Sequence, residues 1–410
     1  MNSTSNSIPR VGLVGVSGYA GIHLALLRDA QDAGRAEFAA AVVINPDEEV
    51  AIVRDLLKRG VKVYSTFDDF VVSEKGRLDL CFVPTGIRWH APMTVAALRA
   101  GMNVLVEKPL AGCVQDADAI LDAERETGRF VAVGFQDMYV ETTAWLKERL
   151  LERAVGELAA IRFIGLWPRS NAYFARNQWA GRLFTDDVAI FDSPFNNALA
   201  HFVHLALFLA GEEQCSTASA RLVDAELFRA HAIESFDTGV IRARSPGGID
   251  FWFGASHACT VEREPEIHIL GSEGRAVWLY DETCTITRFD GAVEKRPVPT
   301  AEAARRRMVQ SVFRRLTDPS VFIATAKSAR AHTVLIDETH RLSSIRTVDP
   351  SRIDLVRVGG TESGEMIRAI RDLPDALDRA FINGSTLCSE NFSLDELVPR
   401  NDPESRLQTS

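Results

Sequence analysis

Between Arg10 and Val133 short apolar runs alternate with stretches of helical patterning, and this alternation restricts the fold more than any other feature. The order is RVGLV, a helix from about Gly21, FAAAVVI, a helix from about Asp47, VKVY and LDLCFV. It continues with a helix across Ala91–Arg99, NVLV, a helix from about Val114 to Thr127, and FVAV. Parallel neighbours need a crossover, and crossover helices bury both faces of the sheet, so the strands read as near-continuous apolar runs. Six strand candidates joined this way predict a doubly wound parallel sheet of the α/β class.

The pattern changes after Phe135. A helix over about 142–153 leads into LAAIRFIGLW, followed later by GVIRAR, GIDFWFGAS, EIHILG, RAVWLY and TCTITRF, strands with turn signals between them and no crossover helices. They predict an α+β domain with a large, mostly antiparallel open sheet. Residues 302–341 and Leu373–Asn383 read as helices. The expected organisation is a doubly wound domain over 8–135, a second domain over 136–390 and a polar tail over 391–410.

Composition limits the partners. The chain has 410 residues, 46% hydrophobic and 25% charged, with 46 basic against 56 acidic residues and a net charge of −10. That balance disfavours nucleic acid as a partner. Six scattered cysteines without a CxxC pair fit reduced thiols better than disulfides or a zinc site, and no membrane segment or secretory signal is read, so a cytoplasmic protein is expected.

Three stretches carry chemistry. The first, Gly15-Val16-Ser17-Gly18-Tyr19-Ala20-Gly21, joins a strand to a helix. Glycines there let a backbone approach a pyrophosphate whose charge the helix amino terminus favours. Ser17 replaces the usual second glycine of that fingerprint, so Gly15, Gly18 and Gly21 supply the glycine register. The second strand ends Ile44-Asn45-Pro46, where an acid would hold the ribose of NAD; a neutral Asn45 leaves NAD and NADP both open.

The second stretch, Asn103–Leu110, reads NVLVEKPL. A lysine at the carboxyl end of a parallel strand points into the crevice where such sheets bind ligands, and Pro109 ends the strand. The third runs from WPRSNAYFARNQWAG at 167–181 into DSPFNNALAHFVHLALFLAG at 192–211. Its apolar helix is read from Asn197, placing Asn197, His201 and His204 on one face; no third ligand at metal-like spacing accompanies the histidines, and no metal is expected. Trp167, Tyr173 and Trp179 offer flat faces for a sugar, and Arg169, Arg176 and Asn177 offer donors for hydroxyls or a carboxylate.

Together the glycine turn, GMNVLVEKPLAG, GFQ at 134–136, NNALAHFVHLALFLAG and ILGSEGRAVWLY resemble the Gfo/Idh/MocA oxidoreductases over nearly all of residues 8–390. The resemblance implies a Rossmann domain, bound NAD or NADP, hydride transfer with a sugar, polyol or sugar derivative, and a homodimer or homotetramer formed through the second domain's sheet. It implies that Lys108 and His201 handle the proton, with Asn197 as a further catalytic position. It also carries Gly15, Ser17, Gly18, Tyr19, Ala20, Asn45, Thr85, His90, Glu107, Lys108 and Gln136 to the cofactor side. Lys108, Trp167, Arg169, Tyr173, Arg176, Trp179, Asn197 and His201 go to the substrate side.

One departure stands out. The family places an aspartate four residues before the histidine, and Asn197 stands there; asparagine can hold a polyol but contributes no charge. That change is compatible with NAD-assisted glycoside elimination without net redox, and the fold alone would permit a non-catalytic dinucleotide sensor. The turn also resembles that of semialdehyde reductases, but Cys113 lacks their surrounding motif and EKP is foreign to them.

Overall fold

The computed structural model describes residues 8–358, 365–392 and 394, so most of the expected polar tail lies outside the described residues. Six strands, β1 (Arg10–Val14), β2 (Glu37–Val42), β3 (Lys62–Tyr64), β4 (Leu80–Val83), β5 (Asn103–Val106) and β6 (Val131–Val133), form one parallel sheet in the order β3-β2-β1-β4-β5-β6. β4, β5 and β6 are buried along their whole length, as strands covered on both faces must be. The order reverses between β1 and β4, and ligands of such sheets bind outside the carboxyl ends of the strands at that point.

The crossovers are α1 (Ala20–Asp32), α2 (Val50–Lys58), α3 (Phe67–Glu74), α4 (Ile87–Arg99) and α5 (Val114–Thr127). α3 is not apparent from the apolar pattern. It starts at Thr66, whose Oγ1 accepts the Asp69 N–H at 3.1 Å, and its Glu74 is buried with Oε1 held by Tyr64 Oη (2.6 Å) and Lys62 Nζ (2.9 Å).

After α6 (Glu141–Leu151) comes the second sheet, whose first strand is β7 (Leu158–Leu166). The short α7 (Asn171–Ala175) and the hairpin β8 (Phe184–Thr185) and β9 (Val188–Ala189) precede α8 (Ala200–Leu209). The remaining strands are β10 (Arg221–Arg229), β11 (Thr238–Arg244), β12 (Asp250–Ser256), β13 (Arg263–Gly271), β14 (Gly274–Leu279), β15 (Thr283–Arg288) and β16 (Val293–Pro297). Then follow α9 (Ala301–Arg315), α10 (Ala326–Leu342), β17 (Ile345–Thr347), the hairpin β18 (Ile353–Val358) and β19 (Glu365–Ile370), and α11 (Leu373–Asn383). The nine-stranded sheet runs β16-β15-β14-β13-β7-β12-β11-β10-β17. It is mixed: β7 with β12 and β10 with β17 pair in parallel, and the other pairs are antiparallel.

α8 is buried all round, which accounts for its uniformly apolar sequence. Phe202 stacks on Phe163 at 5.7 Å and lies 5.9 Å from Trp278, seating the helix on the sheet. At its far end the buried Lys147 donates from Nζ to Phe208 O (2.7 Å) and to Gly211 O, satisfying carbonyls that a helix terminus leaves open. α8 begins three residues later than the sequence suggests. Residues 193–199 fold as successive turns behind Ser193-Pro194, with the Asn197 N–H on Ser193 O (2.9 Å) and the Leu199 N–H on Pro194 O (2.8 Å). Asn197 therefore lies in the turn ahead of the helix.

The chain also returns to the first domain. The Val133 N–H donates to Ala324 O at 2.8 Å, Ala132 bridges Thr325, and α10 packs on both α5 and α8. The segment around α9 and α10 thus joins the two sheets.

The loop after β5 is fixed by close backbone approach. A Cβ on Gly112 would lie 1.9 Å from Ala189 O, inside its van der Waals radius. Gly112→Ala should therefore displace either this loop or the β8–β9 hairpin and lower stability by about 2–4 kcal/mol, read as a fall in thermal midpoint. An unchanged midpoint would show that the two loops are not packed this way.

Candidate active site

β5 ends at Val106, and the next two residues turn in opposite senses. Glu107 is buried: Oε1 lies 2.8 Å from His23 Nε2 on α1, and Oε2 accepts the Lys108 N–H at 3.1 Å. Burial pushes the Glu107 carboxyl up, but the His23 hydrogen bond and charge, with Lys108 beside them, hold it below its ordinary value. A Cβ on Gly134, at the end of β6, would sit 2.7 Å from this carboxylate, so glycine there makes room for it. Glu107 is expected on the cofactor side, yet the structure turns it inward, where it ties α1 to the end of β5.

His90 is likewise turned inward. It is 1% exposed, with Nδ1 at 2.7 Å from Pro109 O and Nε2 at 3.0 Å from Thr85 O. Both ring nitrogens face backbone carbonyls, leaving none for a cofactor. The side chain clasps the loop after β4 to the loop after β5.

Lys108 points the other way, across to the turn before α8. Its Nζ donates to Asn197 O at 2.7 Å and to Asn197 Oδ1 at 3.3 Å. Asn197 is held in turn: Nδ2 donates to Asp192 Oδ1 at 2.8 Å, while Asp192 Oδ2 accepts the Gly181 N–H at 2.6 Å. A carboxylate therefore does stand behind Asn197, one side chain removed from the amine. Burial lowers the Lys108 pKa, opposed by the negative charges of Glu107 and Asp192 and assisted by the positive charge of Arg176.

His201, on the first turn of α8, is 8% exposed and stands edge-on to Phe135 at 6.0 Å between ring centres. Its Nδ1 lies 3.6 Å from Asp137 Oδ2, and neither atom has another partner. Burial, and after it the positive charges of Lys108 and Arg305, hold the imidazole well below its ordinary pKa, so it is neutral. Burial pushes the Asp137 carboxyl up to about 7, with Asp281 adding to the rise. One further histidine was open to a site role: His204 lies under the ring of Phe135 at 4.2 Å and against Ser328 Oγ at 3.4 Å, within the core.

The glycine turn fits a dinucleotide. Gly15 and Gly18 have φ of +89° and +58°, which favours glycine, and Ser17, Gly18 and Tyr19 are exposed. No side chain caps the start of α1 and no acid occupies its first turn, so its amino terminus keeps its pull on a phosphate. Asn45 is exposed at the end of β2 and donates to Glu48 Oε2 at 3.3 Å. Nearer Lys108, Thr85 Oγ1 and Gln136 Oε1 are buried without a hydrogen-bond partner, which suits them to a ring carrying an amide.

The segment from 167 to 181 lines the same cleft. Trp167 meets Phe202 at 6.0 Å, beside His201, and its Nε1 donates to Glu264 at 3.0 Å. Trp179 lies against Gly86 in the loop after β4; a Cβ there would be 3.5 Å from its Nε1. Three functional side chains escape the sequence reading: His23, Asp137 and Asp192. Asp137 directly follows GFQ, and Asp192 opens the Asp-Ser-Pro turn five residues before Asn197, so adjacency to motifs was their only signal.

Residues 9–135 match the family model described as the GFO_IDH_MocA oxidoreductase family, NAD-binding Rossmann fold. An inositol 2-dehydrogenase of Serratia proteamaculans is 30% identical over 174 residues, 42% of this chain and 46% of that protein. A dTDP-3,4-didehydro-2,6-dideoxy-alpha-D-glucose 3-reductase of Streptomyces violaceoruber is 27% identical over 161 residues, 39% of this chain and 46% of that protein. The chain thus spans under half the length of these two relatives. Over most of its length the fold is similar to the WlbA dehydrogenase of Bordetella pertussis, solved with NADH and UDP-GlcNAcA (TM-score 0.65, 21% identity, 82% of this chain and 96% of that one). The 3-ketoreductase KijD10 of Actinomadura kijaniata, solved with NADP, is similar to the same degree (TM-score 0.66, 17% identity, 84% and 100%).

The Asp137 carboxyl gives a test of the site's electrostatics. Raised to about 7 in the fold, it stays protonated there while its unfolded counterpart ionises from about pH 4. The folded state binds the extra proton across that window, so stability falls as pH rises through it and levels off above. Wild type should lose stability relative to Asp137→Asn from about pH 4 to about 7, measured by thermal melting, and run parallel to it above. A difference between the two proteins that does not change with pH would contradict the assignment.

Proposed function

We propose that the chain, whose residues 9–135 match the Gfo/Idh/MocA family model, is an oxidoreductase of that kind and transfers hydride between nicotinamide and a hydroxyl-bearing carbon of a sugar, polyol or sugar derivative. The observation that carries this reading is the partly buried Lys108 amine, held 2.7 Å from Asn197 O at the carboxyl end of β5. A protein that only senses a dinucleotide needs the turn and has no use for such an amine.

Gly15, Ser17, Gly18, Tyr19 and Ala20 would hold the pyrophosphate, Asn45 the adenosine ribose, and Thr85 and Gln136 the nicotinamide side. Bound there, the nicotinamide supplies the hydride acceptor or donor. The protein must then manage one proton. As a C–H hydrogen leaves an alcohol carbon with its electron pair, the hydroxyl proton passes to a base, and in the reverse direction it returns.

Lys108 is the residue for this proton. Burial favours its neutral form, and Asn197 O and Oδ1 fix its nitrogen by two hydrogen bonds. His201, kept neutral, bonds the same hydroxyl or its neighbour and shares the proton, with Asp137 standing 3.6 Å behind its Nδ1. Asp192 acts at one remove, orienting Asn197 and offsetting positive charge at Lys108. The family's aspartate is thus replaced by two carboxylates set further back, one serving each proton-handling side chain.

The surroundings of Asn45 favour NAD over NADP. Asn45 already bonds Glu48, and Asp47, Glu48 and Glu49 follow it in sequence, so a 2′-phosphate would meet three acids. The nucleotide that copurifies should be NAD(H), and NADP should bind at least about tenfold more weakly, by calorimetry on the stripped protein. With a sugar panel the nicotinamide band should change in step with substrate consumed. Glycoside release without accumulated NADH would favour elimination, and tight NADH binding without turnover over the whole panel would favour a sensor.

A further inference from the structure

We infer that the substrate is an anionic sugar derivative, and that Arg169 and Arg176 bind its carboxylate or phosphate. The inference rests on the proposed function and names the substrate class of the same cleft.

Residues 167–179 fold into a ladder of alternating rings and guanidiniums. The Arg169 guanidinium lies 5.7 Å from the ring centre of Trp167 and 5.0 Å from that of Tyr173. Arg176 lies 3.6 Å from Tyr173 and 5.2 Å from Trp179. Stacking of this kind holds a guanidinium's plane in place and leaves its N–H edge free to bind, which is how arginine recognises carboxylate and phosphate.

Neither arginine has a carboxylate partner among the described residues. Arg169 donates to Pro168 O (3.2 Å) and Arg176 to Tyr173 O (2.5 Å), each through Nη1. Arg169 Nε is buried and has no acceptor among the described residues. Nearby arginines behave differently: Arg182 pairs with Glu234 and Arg88 with Asp186. Two carboxylates do border the ladder, but they bind neutral donors, Glu264 taking the Trp167 N–H at 3.0 Å and Glu365 the Ser170 hydroxyl. Asp192 is spent on Gly181 and Asn197. In a chain of net charge −10, two stacked cations without a carboxylate partner among the described residues, Arg169 partly buried and Arg176 exposed, mark a place for an anion brought from outside.

The ladder is also placed to present that anion to the reacting atoms. Trp167 at one end abuts Phe202, next to His201, and Trp179 at the other abuts Gly86 in the first domain. The Gly181 N–H, two residues past Trp179, rests on Asp192, which holds Asn197, which holds Lys108.

The test uses the full-length protein saturated with nicotinamide nucleotide and matched ligands: a neutral aldose, the corresponding uronate, and the corresponding sugar phosphate, the last two arms separating carboxylate from phosphate. Binding is measured by calorimetry and turnover at the nicotinamide band, each at low and high salt. One charged ligand should bind about 10- to 100-fold more tightly than the neutral sugar, and the preference should shrink with salt. Arg169→Met and Arg176→Met should raise KM for the charged ligand by about 10-fold or more and for the neutral sugar by clearly less, with nucleotide affinity unchanged and melting like wild type; Arg176→Lys should restore part of the loss. Equal or tighter binding of the neutral sugar, or equal effects of the arginine variants on all three ligands, would overturn the inference. Turnover of neutral sugars with no charge preference would leave the dehydrogenase reading standing. Charge-selective binding without hydride transfer to any of them would support the inference and refute that reading.

Discussion

A partly buried amine needs acceptors fixed in space, and in this protein the acceptors for Lys108 come from the other domain. Asn197 supplies both, and Asp192 and Gly181 extend the chain of hydrogen bonds into the loop that carries the aromatic and arginine ladder. One line of polar contacts therefore runs from the end of β5 through the turn before α8 to the far wall of the cleft. Loss of any member would leave a buried polar group unpaired, which costs more than the hydrogen bond itself contributes. The position of the amine and the shape of the cleft are set together.

Charge around the amine is arranged in two tiers. Lys108 and Arg169 are partly buried and Arg176 is exposed, while Glu107, Asp137 and Asp192 are buried. Acids in that second tier tune and orient without occupying the space a substrate needs. Asn197 fits this arrangement: its amide presents a neutral face to the amine and is held in turn by Asp192. The same logic applies to His201, whose Nδ1 meets Asp137 from the end of the first sheet instead of an acid on its own helix.

Much of this was legible in the sequence because it depends on local pattern. Apolar runs spaced by helical stretches gave the parallel sheet and its order of elements, and the glycine turn and EKP placed Lys108 at a strand end. What was not legible depends on long-range contacts. The start of α8 moved because Ser193-Pro194 sets up a run of turns, Glu107 and His90 turned inward because His23 and two backbone carbonyls claim them, and β7 and β10 each take one parallel neighbour through connections too long for a strand pattern to reveal. Asn197 brings no charge of its own, but a carboxylate stands behind it that the sequence reading did not connect with it. That carboxylate is five residues away in sequence and 2.8 Å away in space.

All of these contacts converge on one nitrogen, so the most direct test is the rate of the chemical step without it. In single-turnover stopped flow with bound nucleotide and a substrate found by the sugar panel, Lys108→Ala should slow hydride transfer by about 100- to 10,000-fold, the range that a positioned acid or base contributes, while nucleotide affinity stays within about twofold. Hydride transfer at the wild-type rate in that variant, with nucleotide bound, would contradict the account.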